Sequence, residues 1–395
     1  MRFLLILLSV LLLTGCAAPA PVETTVPETI PVFVPATETV PETTVPPAPE
    51  DLLLTAMTLE QKVGQLFIVA PEQLLPGSGA ITSMTDALET ALARYHIGGV
   101  ILFGNNIQNP KQLSAFTNAL SDVSPTGLFL AVDEEGGLVA RLAKNESFGL
   151  PRYKSAASVG ASGNSEDALA MGRTIGAYLC EYGFNLDFAP VADVNTNPRN
   201  PIIGTRAFSS NPETAAHMAA AFAQGLTENG VIATFKHFPG HGDTAEDSHE
   251  GIAVLHKSRE ELASGEWLPF LRARETDMVM VGHIAVPEIT GDLTPATLSR
   301  QLVTEILKAK LGFRGLVVTD AMNMGAILNN RSCGAATVEA LAAGCDLILM
   351  PENLEEAFAA VLTALEDGTL TQEWLDETVR RIIQFKLSHG IVVCD

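Results

Sequence analysis

The chain of 395 residues carries 46 acidic against 24 basic residues, a formal charge of −22 at pH 7. A surface of that sign repels nucleic acid and anionic lipid headgroups, so neither is expected as a partner. Five cysteines (Cys16, Cys180, Cys333, Cys345, Cys394) lie too scattered for metal-type spacing, and no disulfide is expected to frame the fold.

In chain order, Met1 and Arg2 make a short positive start, and Phe3 to Leu13 form a nearly unbroken apolar run. That run has the length of a signal-peptide core and is too short to span a bilayer stably. It ends in Leu13-Thr14-Gly15-Cys16, which resembles the lipobox of bacterial lipoproteins. The resemblance implies removal of residues 1–15, lipidation of Cys16, and a protein held at the outer face of the cytoplasmic membrane. Residues 17–50 then repeat Val, Pro, Glu and Thr without a glycine or a basic residue. Prolines favour extended backbone and the glutamates repel one another, so the stretch reads as a semi-rigid acidic spacer.

The segment 51–395 alternates short apolar runs with longer helical patterns. Strands are predicted at Gln65–Ala70, Gly99–Phe103, Leu128–Val132, Asn185–Ala189, Ile232–Lys236, Met278–Gly282, Leu316–Thr319 and Asp346–Met350. Helical spacing covers Pro110–Val123, Ser165–Tyr182, Pro212–Glu228, Arg259–Ala273, Ser299–Leu311 and Gln372–Ser388. The runs are apolar on both faces, as in parallel strands covered by helices. Eight such units predict an α/β fold with a single (β/α)8 TIM-type barrel. An open doubly wound sheet is the alternative, and no glycine-rich phosphate fingerprint follows the first strand to support it.

Ionisable residues end successive strands: Asp133-Glu134-Glu135 after the third, Asp193 after the fourth, Lys236-His237 at the fifth, His283 after the sixth, and Asp320 after the seventh. Barrel enzymes assemble their sites at this end. The segment after the fifth strand is the densest, with His237, His241, Asp243, Asp247 and His249. His237 and His241 would share one face of a helix as zinc ligands. Pro239, Gly240 and Gly242 break any helix there, so no metal is expected. Asp247 and His249 instead form a pair in which the carboxylate can fix the imidazole tautomer and support its protonated form.

Lys236-His237-Phe238-Pro239-Gly240-His241-Gly242-Asp243-Thr244-Ala245-Glu246-Asp247-Ser248-His249 resembles the signature of glycoside hydrolase family 3, in its bacterial β-N-acetylglucosaminidase branch. Stretches 185–194, 204–208, 295–299 and 315–322 agree with that family in the same order. The resemblance implies a retaining exo-β-N-acetylhexosaminidase without cofactor. Asp320 would be the nucleophile, His249 the general acid/base and Asp247 its partner. Asp133, Arg141, Arg206, Lys236 and His237 would bind the sugar. His241 and Asp243 would shape the loop, and His283 would stand behind the site. One departure is Leu138, where the family commonly has Arg after the glycine pair; a change at the rim is expected, with Asp133 and Arg141 in place. The chain ends soon after its last helix, so the acid is expected from the barrel itself, as in the N-acetylglucosaminidase branch. The expected substrates are GlcNAc-containing glycans such as peptidoglycan fragments or chitooligosaccharides, and a monomer is expected. A β-glycoside phosphorylase, a hydrolase of another β-glycoside, and a non-catalytic glycan-binding lipoprotein are the alternatives.

Overall fold

The computed structural model describes residues 48–245 and 251–392. Cys16, the expected leader, the expected spacer up to Pro47, Asp247, His249 and Cys394 lie outside the described residues. The expected eight strands are present: β1 Phe67–Val69, β2 Gly99–Ile101, β3 Phe129–Val132, β4 Leu186–Asp187, β5 Ile232–Phe238, β6 Met278–Val281, β7 Leu316–Thr319 and β8 Ile348–Leu349. All pair in parallel in the order β8-β1-β2-β3-β4-β5-β6-β7. A bridge between Val318 and Leu347 joins β7 to β8 and nearly closes the barrel. Every residue of β1, β2, β3 and β7 is buried, which is why their sequences carry no alternation of apolar and polar side chains.

Between successive strands run α1 Asp86–Tyr95, α2 Pro110–Asp122, α3 Ser165–Glu181, α4 Pro212–Thr227, α5 Arg259–Ser264, the π-type α6 Gln301–Lys310 and α7 Cys333–Ala343; α8 Leu354–Glu366 and α9 Gln372–Ser388 follow β8. Local chemistry starts them: Asn109 and Asn211 cap α2 and α4, each followed by a proline at the first helical position. Helices α3 and α4 pack through glycine. A Cβ on Gly172 would lie 2.1 Å from the Phe222 carbonyl oxygen, and one on Gly225 2.5 Å from Leu169 O.

Two expected boundaries are corrected. The helix expected over Arg259–Ala273 stops at Ser264, because Gly265 leaves helical space (φ −132°, ψ −96°) and Pro269 begins a separate 3-10 turn, Phe270–Arg272. The break turns Trp267 inward, fully buried with its ring 6.4 Å from that of Phe238. The strand expected over Asn185–Ala189 shortens to Leu186–Asp187, since Pro190 cannot donate to the ladder. Pairing resumes at Val191, opposite Lys236.

At the amino-terminal end of the barrel, α9 buries Lys386 completely. Its Nζ donates to Gln65 Oε1 and Gly127 O, both at 2.8 Å, and lies 5.0 Å from the Phe129 ring centroid. Burial pushes this amine down to about 7, and two acceptors suit the two N–H bonds of a neutral amine. Between the folded value near 7 and the unfolded value near 10.4, the unfolded chain holds the extra proton, so stability contributed here rises with pH. Denaturant unfolding of the native chain and Lys386→Met should therefore diverge. The gap is expected to move in the native chain's favour by about 1 kcal/mol per pH unit from pH 7.5 to 9.5. Parallel curves would mean that the amine stays charged.

Candidate active site

The carboxyl ends of the strands surround one cavity of about 360 Å³. Asp133, Arg141, Arg206, Lys236, His237 and Asp320 all line it, so the structure brings together every expected site residue that it describes. His241 lines it too. The exposed Leu138 stands on the loop after β3, and Asp133 and Arg141 both line the cavity.

The side chains sort by strand parity. Past the end of β3, Asp133 and Glu135 lie two residues apart and both line the cavity, whereas Glu134 does not. Glu134 is fully buried. Its carboxylate accepts the N–H groups of Arg141, Leu142 (2.9 Å) and Ala143 (2.9 Å), and the Tyr178 hydroxyl (2.8 Å). It thereby folds the returning loop so that Arg141 reaches the pocket. Gly136 and Gly137 turn that loop at φ +74° and +93°, where a side chain would be strained.

Lys236 is the hub of a buried ion array. Its Nζ lies 2.8 Å from Asp133 Oδ1 and 2.7 Å from Glu135 Oε1. Arg206 grips Glu135 with Nε and Nη2 at 2.8 and 2.7 Å. Arg141 Nη2 stands 3.5 Å from Asp133 Oδ2, and its buried Nε has no hydrogen-bond partner among the described residues. Burial alone would raise the Glu135 carboxyl, but Lys236 and Arg206 outweigh it and hold it far below the usual range. For Lys236, burial acts downward and the charges of Asp133 and Glu135 carry its amine above its ordinary value. Below them Asp187, fully buried, behaves oppositely. Burial and the Glu134 and Asp133 charges hold its carboxyl well above the usual range, against the Glu134 N–H and Lys236.

Successive residues of a regular strand point to opposite faces, yet Lys236 and His237 both line the cavity. The β5–β6 register shifts between Phe235 and Phe238, and this irregularity re-aims one of them. Asp193, fully buried, secures the result. It accepts the His237 Nδ1 hydrogen at 2.7 Å and the His237 and His241 backbone N–H groups at 3.2 and 2.6 Å. With Nδ1 committed, His237 presents Nε2 to the pocket. Burial, then the neighbouring His237, lowers the His241 imidazole and keeps it toward its neutral form.

Asp320 faces this array from the end of β7. Burial would push its carboxyl up, but His237, His283, the Ala321 N–H (2.8 Å to Oδ1) and Lys236 hold it below the usual carboxylate range. The remaining arc is apolar, with Ile101, Leu349, Met324 and Met350. Met350 adopts φ +48°, unusual for a side-chain-bearing residue, and its N–H is tied to Ile68 O at 2.9 Å. Glu134, Glu135, Asp187 and Asp193 are residues of the site to which the sequence alone assigns no role. Glu135 was signalled by its parity with Asp133; Asp193 only by standing at a strand end.

A barrel carrying an ionised carboxylate opposite a dense hydrogen-bonding array, at the carboxyl ends of its strands, has the layout of a polar-ligand site in the (β/α)8 class. The chain belongs to glycosyl hydrolase family 3: residues 58–385 match that family's N-terminal domain. It is 35% identical over 337 residues to beta-hexosaminidase A of Pseudoalteromonas piscicida, covering 78% of this chain and 56% of that protein. A family 3 beta-N-acetylglucosaminidase from a Paenibacillus species superposes with TM-score 0.79 at 34% identity, covering 86% of this chain and 64% of the other. The beta-glucoside phosphorylase BglX superposes with TM-score 0.74 at 26% identity over 86% of this chain and 60% of the other. The chain thus spans rather more than half the length of these relatives.

Proposed function

We propose that the chain is a retaining exo-β-N-acetylhexosaminidase that removes terminal GlcNAc from peptidoglycan fragments or chitooligosaccharides. The observation that carries this reading is Asp320, a carboxylate held ionised at the pocket wall opposite the Asp133–Lys236–Glu135–Arg206 array. Names of relatives as hexosaminidases support the choice of sugar. Asp320 attacks the anomeric carbon as the bond to the leaving oxygen breaks, forming a glycosyl-enzyme. His249, with Asp247 as its partner, gives its proton to that oxygen. Water then attacks the anomeric carbon as its bond to Asp320 breaks, water's proton passes to His249, and two inversions leave the configuration retained.

The pocket chemistry suits the substrate. Asp133, Arg141 and Lys236 supply paired acceptors and donors for ring hydroxyls, which cost about 1–3 kcal/mol each when buried unmatched. Met324, Leu349 and Met350 offer an apolar wall for the acetamido methyl. Assays of the full chain on the 4-nitrophenyl β-glycosides of GlcNAc and glucose, with and without phosphate, test the reading. Preference for GlcNAc, with a phosphate-independent rate and free sugar as product, is the expected result. Sugar 1-phosphate as product would replace the hydrolase by a phosphorylase, the second reading that the likeness to BglX favours. No turnover of either glycoside would sink both.

A further inference from the structure

The backbone that presents Asp320 is sewn to both neighbouring strands. The Asp320 N–H donates to Val281 O and the Met322 N–H to Leu349 O, each at 2.9 Å. Between them stands Ala321, whose N–H caps Asp320 Oδ1 at 2.8 Å and whose carbonyl oxygen lies 3.0 Å from His283 Nε2. A carbonyl oxygen only accepts, so Nε2 carries the hydrogen. On the far side of the ring, Nδ1 meets Thr297 Oγ1 at 2.8 Å. That hydroxyl lies 3.1 and 3.0 Å from the Val281 and Gly282 carbonyl oxygens at the end of β6. His283 and Thr297 are both fully buried, and neither lines the cavity.

We propose that His283 is a positioning residue for the reaction: it locks Ala321 against β6 and thereby sets where the Asp320 carboxylate points. This inference rests on Asp320 being the nucleophile. The imidazole cannot touch the sugar, but it is anchored through Thr297 to the strand that also holds the Asp320 N–H. Ala321 in turn provides the hydrogen bond that orients one carboxylate oxygen. Displacing an attacking atom by about 1 Å can cost 100-fold in rate. A loss of His283 should therefore appear in the chemical step and leave sugar binding, which the β3–β5 side provides, nearly intact.

The comparison that decides is His283→Gln against His283→Met in the full chain, since both fill the space and only Gln can donate to the Ala321 carbonyl. On the 4-nitrophenyl β-glycoside of GlcNAc, His283→Met is expected to lose about 100-fold in kcat with KM within about twofold of wild type. His283→Gln should recover about tenfold of that loss at the same KM. Equal kcat values for the two variants, or a loss that falls in KM, would overturn the assignment. Thermal unfolding of both variants separates misfolding from mispositioning: equal unfolding temperatures with unequal kcat support the proposal. A wild-type chain that cleaves no β-glycoside would instead remove the reading of Asp320 on which it rests.

Discussion

Asp320→Ala is expected to lower turnover of the GlcNAc glycoside by roughly 10⁴-fold or more, because no other carboxylate among the described residues is placed to take its role. The other carboxylates near the cavity are committed. Asp133 and Glu135 are bound to Lys236 and Arg206, Asp193 to His237, and Asp187 is buried with its carboxyl held well above the usual range. Asp320 alone pairs pocket exposure with a depressed carboxyl and no ion pair to a lysine or arginine among the described residues. Removing it should leave a cavity into which a small anion fits. Azide with the activated 4-nitrophenyl substrate is expected to restore part of the rate and to give the α-glycosyl azide, because one inversion replaces two. Turnover within tenfold of wild type, or a β-configured azide product, would reject Asp320 as nucleophile. A glycan-binding protein without catalysis would bind as before after the substitution.

Lys236→Met should damage folding and activity together. Lys236 is 2% exposed, and its ammonium neutralises two carboxylates that are themselves mostly buried. Removing one partner from a buried array costs about 3–5 kcal/mol, because the remaining charges keep their desolvation cost. After the change Glu135 retains Arg206, but Asp133 is left with Arg141 at 3.5 Å. Denaturant unfolding is the measurement for stability. kcat/KM is expected to fall about 100-fold through the lost charged hydrogen bond to the sugar side of the site. Adding Asp133→Asn to Lys236→Met should recover part of the stability, since the orphaned charge disappears, without recovering kcat/KM. A single variant as stable and active as wild type would show that the ammonium neither holds the array nor serves the ligand.

The eight strands were legible in the sequence because burial on both faces leaves continuous apolar runs, and their carboxyl ends were legible because ionisable residues interrupt those runs. Boundaries were less so. Gly265 and Pro269 are the local breakers inside the helical pattern that runs to Ala273, and burial of Trp267 against Phe238 makes the break the stable choice. The reach of Arg141 and the paired aim of Lys236 and His237 were legible as motif positions but not as geometry. The first needs the Glu134 carboxylate to gather three backbone N–H groups, and the second needs the shifted β5–β6 register.

What the sequence determined by itself is the barrel class, the acidic surface charge and the residue types gathered at one end, since each follows from composition, periodicity or a short motif. What only the tertiary structure decided is which of those residues are ionised, which are spent on one another, and which face a ligand. Asp133, Glu134, Glu135, Asp187, Asp193 and Asp320 are one residue class in the sequence. They become a salt-bridged acceptor, a loop anchor, an ion-array partner, a carboxyl held well above its usual range, a histidine brace and a carboxylate aimed at the pocket. The physical reason is that protonation and aim depend on burial and on charges brought close from other strands, and those distances exist only once the barrel closes.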